Sequence, residues 1–125
     1  MSVRFAGYAA VFDRVDRGGD VIRRGAFAGL RAPVPLLWQH RGVPVGSIDR
    51  LAEDDQGLRV IGSVSDPAMA ARLTSGAIDG LSFGYRVKAA RHGAARELLA
   101  LDLVEVSLVA APMQPLARIH AVEAA

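Results

Sequence analysis

Three residue types in this chain could together carry acyl transfer: a serine, a histidine and a carboxylate. Ser82 stands in Gly80-Leu81-Ser82-Phe83-Gly84-Tyr85-Arg86-Val87, where apolar and polar side chains alternate with period two, the pattern of a β-strand. Leu81, Phe83, Tyr85 and Val87 are expected on the core face, and Ser82, Gly84, Arg86 and Lys88 on the other. A glycine two places along leaves the serine hydroxyl uncovered, which makes Ser82 a candidate nucleophile. Serine is a weak nucleophile at its own pKa and needs an adjacent base. Three histidines are available. His92 lies in a glycine-containing turn between arginines, and His120 lies on a short strand near the C-terminus. His40 ends the apolar run Leu36-Leu37-Trp38-Gln39-His40, where packing can hold one side of its ring and leave the other open.

A base also needs a third group to fix its tautomer and stabilise its charged form. Glu105 lies in Leu103-Val104-Glu105-Val106-Ser107-Leu108-Val109, apolar on both strand faces, so it is expected to be at least partly buried. A buried carboxylate requires a partner. Arg86, Arg118 or the ring N–H of a catalytic histidine would each serve, and Asp102 is the alternative carboxylate. Composition permits a Ser-His-acid triad without showing one. The residues Gly80-Leu81-Ser82-Phe83-Gly84 match the Gly-x-Ser-x-Gly elbow of α/β-hydrolases literally. That elbow requires strand–turn–helix, whereas here the strand pattern continues beyond the serine. No phosphate-cradling loop, dinucleotide fingerprint or metal-ligand spacing occurs, so neither cofactor nor metal is expected.

The elements that must position these residues are mostly short strands. Val3 to Phe12 reads as a first strand, and Arg14 to Asp20 as turn chemistry. Val21-Ile22-Arg23 is short and extended, and Gly25 to Leu30 allows one or two helical turns. Val45 to Leu51 and Leu58 to Ser65 flank an acidic, glycine-terminated connection and read as a hairpin. Asp66-Pro67 opens a helix with aspartate as N-cap and proline at the first helical position. Met69 and Leu73 form its inner stripe, beside Ala70, and Gly76 stops it. Arg96 to Ala111 reads as a strand or a bent strand pair, and Leu116 to Val122 as the last strand. The expected fold is mainly β (α+β), about seven strands in a closed or nearly closed barrel with one or two short flanking helices.

The 125 residues are expected to form a single domain, residues 1–125, with a sizeable core of its own. Without cysteine there is no disulfide framework, thiolate metal site or cysteine nucleophile. No apolar run approaches the roughly 18 residues that span a bilayer, and no signal peptide pattern precedes the first strand. The formal net charge of +2 is spread among interleaved arginines and acids, so no basic stripe for nucleic acid is expected.

Taken in order, the motifs resemble those of the prohead (capsid maturation) serine proteases of tailed bacteriophages and gene transfer agents, which are distantly similar to the herpesvirus assemblins. Gly7-Tyr8-Ala9-Ala10-Val11-Phe12 resembles the family's opening strand, and Asp20-Val21-Ile22 through Gly25-Ala26-Phe27 the segment after it. Leu36 to His40 followed by Pro44-Val45-Gly46 resembles the histidine motif, and Asp55-Gln56-Gly57-Leu58 the hairpin. Gly76 to Tyr85 resembles the serine motif; Asp102 to Val109 with Pro112-Met113 resembles the closing motif. The resemblance implies a β-barrel protease with Ser82 as nucleophile and His40 as general base. In the assemblins the third member lies on the strand after the serine strand, which implies Glu105 here. It also implies, as substrates, the scaffolding segment of the major capsid protein and the protease itself. The implied location is the immature shell in the bacterial cytoplasm, with the chain acting as a homodimer or higher self-association. The other readings are a catalytically inactive protease-like barrel that scaffolds or binds capsid protein and, last, a small barrel for single-stranded nucleic acid.

Overall fold

A computed structural model describes residues 2–124. The strands are β1 (Val3–Val11), β2 (Asp20–Ile22), β3 (Val34–Trp38), β4 (Arg41–Glu53), β5 (Gly57–Val64), β6 (Gly80–His92), β7 (Arg96–Val109) and β8 (Ile119–Ala124). The helix α1 (Pro67–Thr74) lies between β5 and β6. Its start follows the sequence: Asp66 caps it by accepting a hydrogen bond from the Met69 N–H at 3.0 Å, and Pro67 needs no donor partner there. Met69, Ala70 and Leu73 face the core, and Gly76 ends the segment in the left-handed region at φ 79°. Residues 25–30 instead form consecutive tight turns, with hydrogen bonds from Ala26 to Arg23, Ala28 to Gly25 and Leu30 to Phe27. Gly25 and Gly29 both have positive φ, so no helix propagates through them.

The described residues form one eight-stranded sheet, ordered β2-β7-β3-β4-β5-β1-β8, with β6 paired to β7. Its inner surface is filled by fully buried side chains that include Leu36, Ile48, Leu58, Val60, Leu81, Leu98, Val106 and Leu108. The closure expected of a barrel is not completed by a ladder. The start of β6 and the segment entering β8 meet at an isolated bridge, Gly80↔Arg118.

The long strand β7 makes the site possible. One edge carries β2 in parallel at Asp20↔Arg96 through Ile22↔Leu98, then β3 in parallel at Leu36↔Val106 through Trp38↔Leu108. Its other edge carries β6 in antiparallel register, with Ser82↔Ser107 and Gly84↔Glu105 as partners. Directly opposed residues share a sheet face, so Ser82, Gly84, Glu105 and Ser107 lie together. The register then slips between Gly84/Glu105 and Tyr85/Leu103, leaving Val104 as an extra residue that is 48% exposed. Such a bulge re-aims neighbouring side chains; here it sends Glu105 and Leu103 to opposite faces. Past Tyr85 the β6 side of the hairpin turns to solvent, while Leu101 and Leu98 opposite it on β7 stay buried. Val87, expected inside, is 41% exposed for that reason.

Candidate active site

Trp38 pairs with Arg41, so Gln39 and His40 are the two central residues of a tight turn between β3 and β4. Their φ values are 54° and 63°, both left-handed, as the primed hairpin turns require. Neither residue is glycine or asparagine, so the turn depends on outside anchors. The Gln39 N–H donates to the Leu108 carbonyl at 2.9 Å, and its side-chain Oε1 accepts from the Ala110 N–H at 3.0 Å. The His40 N–H donates to Ser107 Oγ at 3.0 Å. All three contacts reach β7 or the residue just after it. The histidine therefore does not end a strand, as its sequence pattern indicated; it sits two residues past Trp38, in a turn clamped to β7.

Glu105 is buried, 7% exposed, and both of its carboxylate oxygens are occupied. Oε1 lies 2.5 Å from His40 Nδ1, and Oε2 accepts from Ser107 Oγ at 2.6 Å. A carboxylate facing Nδ1 favours the tautomer protonated there, which leaves the lone pair on Nε2. This is how the cost of burying the charge is offset. The arginines that were the alternative partners are engaged elsewhere or exposed. Arg118 binds Asp79 at 2.8 Å and the Pro115 carbonyl, and Arg86 lies on the solvent-exposed part of β6.

Ser82 is half-buried on β6 and lines a cleft of about 130 Å³ together with His40. Leu81, Phe83, Tyr85 and Met113 give the cleft apolar walls, and Asp16 contributes a carboxylate at its rim. The remaining sequence candidates lie apart. Asp102 is exposed and lies 3.7 Å from Lys88, and His92 and His120 are exposed on β6 and β8. Among the described residues no cluster of ligating side chains could hold a metal ion.

Three contributors to this geometry had no role, or a different one, in the sequence reading. Gln39 and Ser107 are two; the signal for Ser107 was its place two residues from Glu105 on one strand face. The third is Gly84. A Cβ built there would lie 2.4 Å from Glu105 Oε1 and 3.1 Å from its Cδ and Cγ. The bare glycine is what lets the carboxylate lie flat across β6. Behind the cleft, Asp20 accepts two hydrogen bonds of 2.8 Å from the Arg96 guanidinium, which holds its carboxyl below the usual range, and a longer one from Tyr85. Burial pushes the Tyr85 phenol up, with Asp20 adding to the effect.

The fold is that of the herpesvirus proteases. The protease of KSHV, solved with a hexapeptide phosphonate inhibitor, superposes with a TM-score of 0.68 over 98% of this chain and 65% of its own, at 14% identity. The varicella-zoster virus protease gives 0.64 over 98% of this chain and 64% of its own, also at 14% identity. Within that fold, the chain belongs to the caudovirus prohead serine protease family, whose profile matches residues 1–125. The prohead protease of Enterobacteria phage HK97 is 36% identical over 94 residues, 66% of this chain, and the match spans 42% of that protein's length.

Proposed function

We propose that this chain is a serine endopeptidase that cleaves the scaffolding segment of the major capsid protein, and itself, inside the immature shell in the bacterial cytoplasm. The observation that supports this reading best is the His40–Glu105 pair, whose imidazole shares a cleft with Ser82, in a chain of the prohead serine protease family. His40 Nε2 takes the Ser82 hydroxyl proton as Oγ attacks the scissile carbonyl. The imidazolium then protonates the leaving amine, and an acyl-enzyme remains. Water, deprotonated by the same nitrogen, releases the acid and restores the serine. Glu105 orients the ring and stabilises its charged form. The chain works as a homodimer or higher self-association, which confinement within a shell favours by raising local concentration.

Co-expression with the major capsid protein it is proposed to process tests this. Capsid protein should be trimmed by the wild-type chain and left whole by Ser82→Ala, and unchanged trimming by Ser82→Ala would refute the mechanism. Covalent labelling of Ser82 by a fluorophosphonate, located by mass spectrometry, separates the enzyme from an inert scaffold of the same fold. A folded protein that never labels is the scaffold.

A further inference from the structure

The Ser107 hydroxyl is fully buried, and its two hydrogen bonds go to the two ends of the His40–Glu105 pair. A hydroxyl offers one donor and two acceptor positions. Its hydrogen goes to Glu105 Oε2 at 2.6 Å, and its oxygen accepts from the His40 main-chain N–H at 3.0 Å. The first bond stops the carboxylate rotating about its terminal torsion, so that Oε1 stays aimed at Nδ1. The second ties the left-handed turn, and hence the root of the imidazole, to the same atom. Ser107 lies on β7 directly opposite Ser82, with Leu37 of β3 opposite on the other edge. Its frame is therefore shared with the strand that carries the nucleophile. It is 0% exposed and does not line the cleft, so it cannot meet substrate.

We propose that Ser107 is a positioning residue: one hydroxyl fixes both the carboxylate plane and the histidine turn, and so sets the aim of the base at Ser82. This deepens, and for its kinetic part rests on, the protease reading. Without the hydroxyl, Glu105 keeps one anchor and the turn loses one of three. Substrate binding is untouched, so the loss should fall on turnover.

The test starts from the full chain carrying Ser82→Ala, labelled with ¹⁵N-histidine, so that the spectroscopic result depends on no turnover. The His40 Nδ1–H proton should appear as a low-field, exchange-protected resonance. Adding Ser107→Ala should move it upfield and speed its exchange, while Ser107→Thr, which keeps the hydroxyl, should retain it. Ser107→Cys, close in volume but a poor donor, should behave like alanine and keeps the test readable should the alanine protein not fold. With Ser82 intact, Ser107→Ala should lower kcat about tenfold or more with KM within about twofold, and threonine should restore most of it. A resonance unmoved in both the alanine and cysteine proteins would overturn the proposal. A chain that cleaves no peptide while its resonance responds as described would sink the protease reading and leave Ser107's role standing.

Discussion

Gly84→Ala is the substitution that most directly probes the geometry of the site. Gly84 has an extended backbone and lies opposite Glu105, so alanine is conformationally welcome and the strand should still form. The cost is local. The new methyl would lie 2.4 Å from Glu105 Oε1, about 1 Å closer than an ordinary contact beginning at 3.4 Å. It would also press on Cδ and Cγ, each at 3.1 Å. A flexible carboxylate would swing aside, but this one is held by His40 and Ser107. Retreat by about 1 Å stretches the Nδ1 contact from 2.5 Å beyond about 3.2 Å, the usual limit for such a hydrogen bond. Misplacement of catalytic groups on that scale costs about 10²-fold in rate, or about 2.7 kcal/mol of transition-state stabilisation. Peptide hydrolysis and the rate of fluorophosphonate labelling of Ser82 should both fall by about that factor. A double-mutant cycle isolates the cause. In a Glu105→Ala background there is no carboxylate to displace, so Gly84→Ala should then cost almost nothing. Two penalties that simply add would refute the argument.

Two further outcomes follow from the same structure. Asp102→Asn, at an exposed position beside Lys88, should leave kcat/KM within about twofold of wild type, the usual scale for surface changes; a large loss would move the proposed third catalytic role from Glu105 to Asp102. Glu97 is held at about 2, well below its ordinary 4.5, first by hydrogen bonds from Arg91 and then by those from Arg23. A depressed carboxylate stabilises the fold fully above pH 4.5 and ceases to do so as the pH falls towards 2. The melting-temperature gap between wild type and Glu97→Gln should therefore be widest above pH 4.5 and close towards pH 2. The gap should be modest, since these groups meet solvent, and a gap independent of pH would contradict the assignment.

What could be read from the sequence depended on whether the determining contacts were local. The strand around Ser82 was legible because alternation is a property of neighbours, and it failed only where β6 turns to solvent at Val87. The Asp66-Pro67 helix start was legible for the same reason. The turn at Gln39-His40 was not: tight hairpin turns usually announce themselves through glycine or asparagine, and this one is held by Leu108, Ala110 and Ser107, some seventy residues away. The parallel pairing of β3 with β7 was equally hidden, because no strand–helix–strand unit marks it. Glu105 was conspicuous as a carboxylate among apolar residues, yet its choice of histidine over arginine is made by a turn and a bulge that leave no local trace.

The glycines around Ser82 show how one sequence pattern can serve two physical ends. In a hydrolase elbow they let a sharp strand-to-helix turn close and expose the nucleophile. Here β6 runs straight on, and the glycines make room for its neighbours. A Cβ at Gly80 would lie 2.6 Å from the Val109 carbonyl and 3.0 Å from Pro112, where β7 ends; a Cβ at Gly84 would strike the Glu105 carboxylate. One glycine lets the end of β7 lie close against β6, and the other lets the acid reach across towards the histidine. The pattern marks a serine strand that must be approached closely from its partner strand. That requirement follows from drawing the acid from the strand beside the serine and the histidine from a turn beyond it.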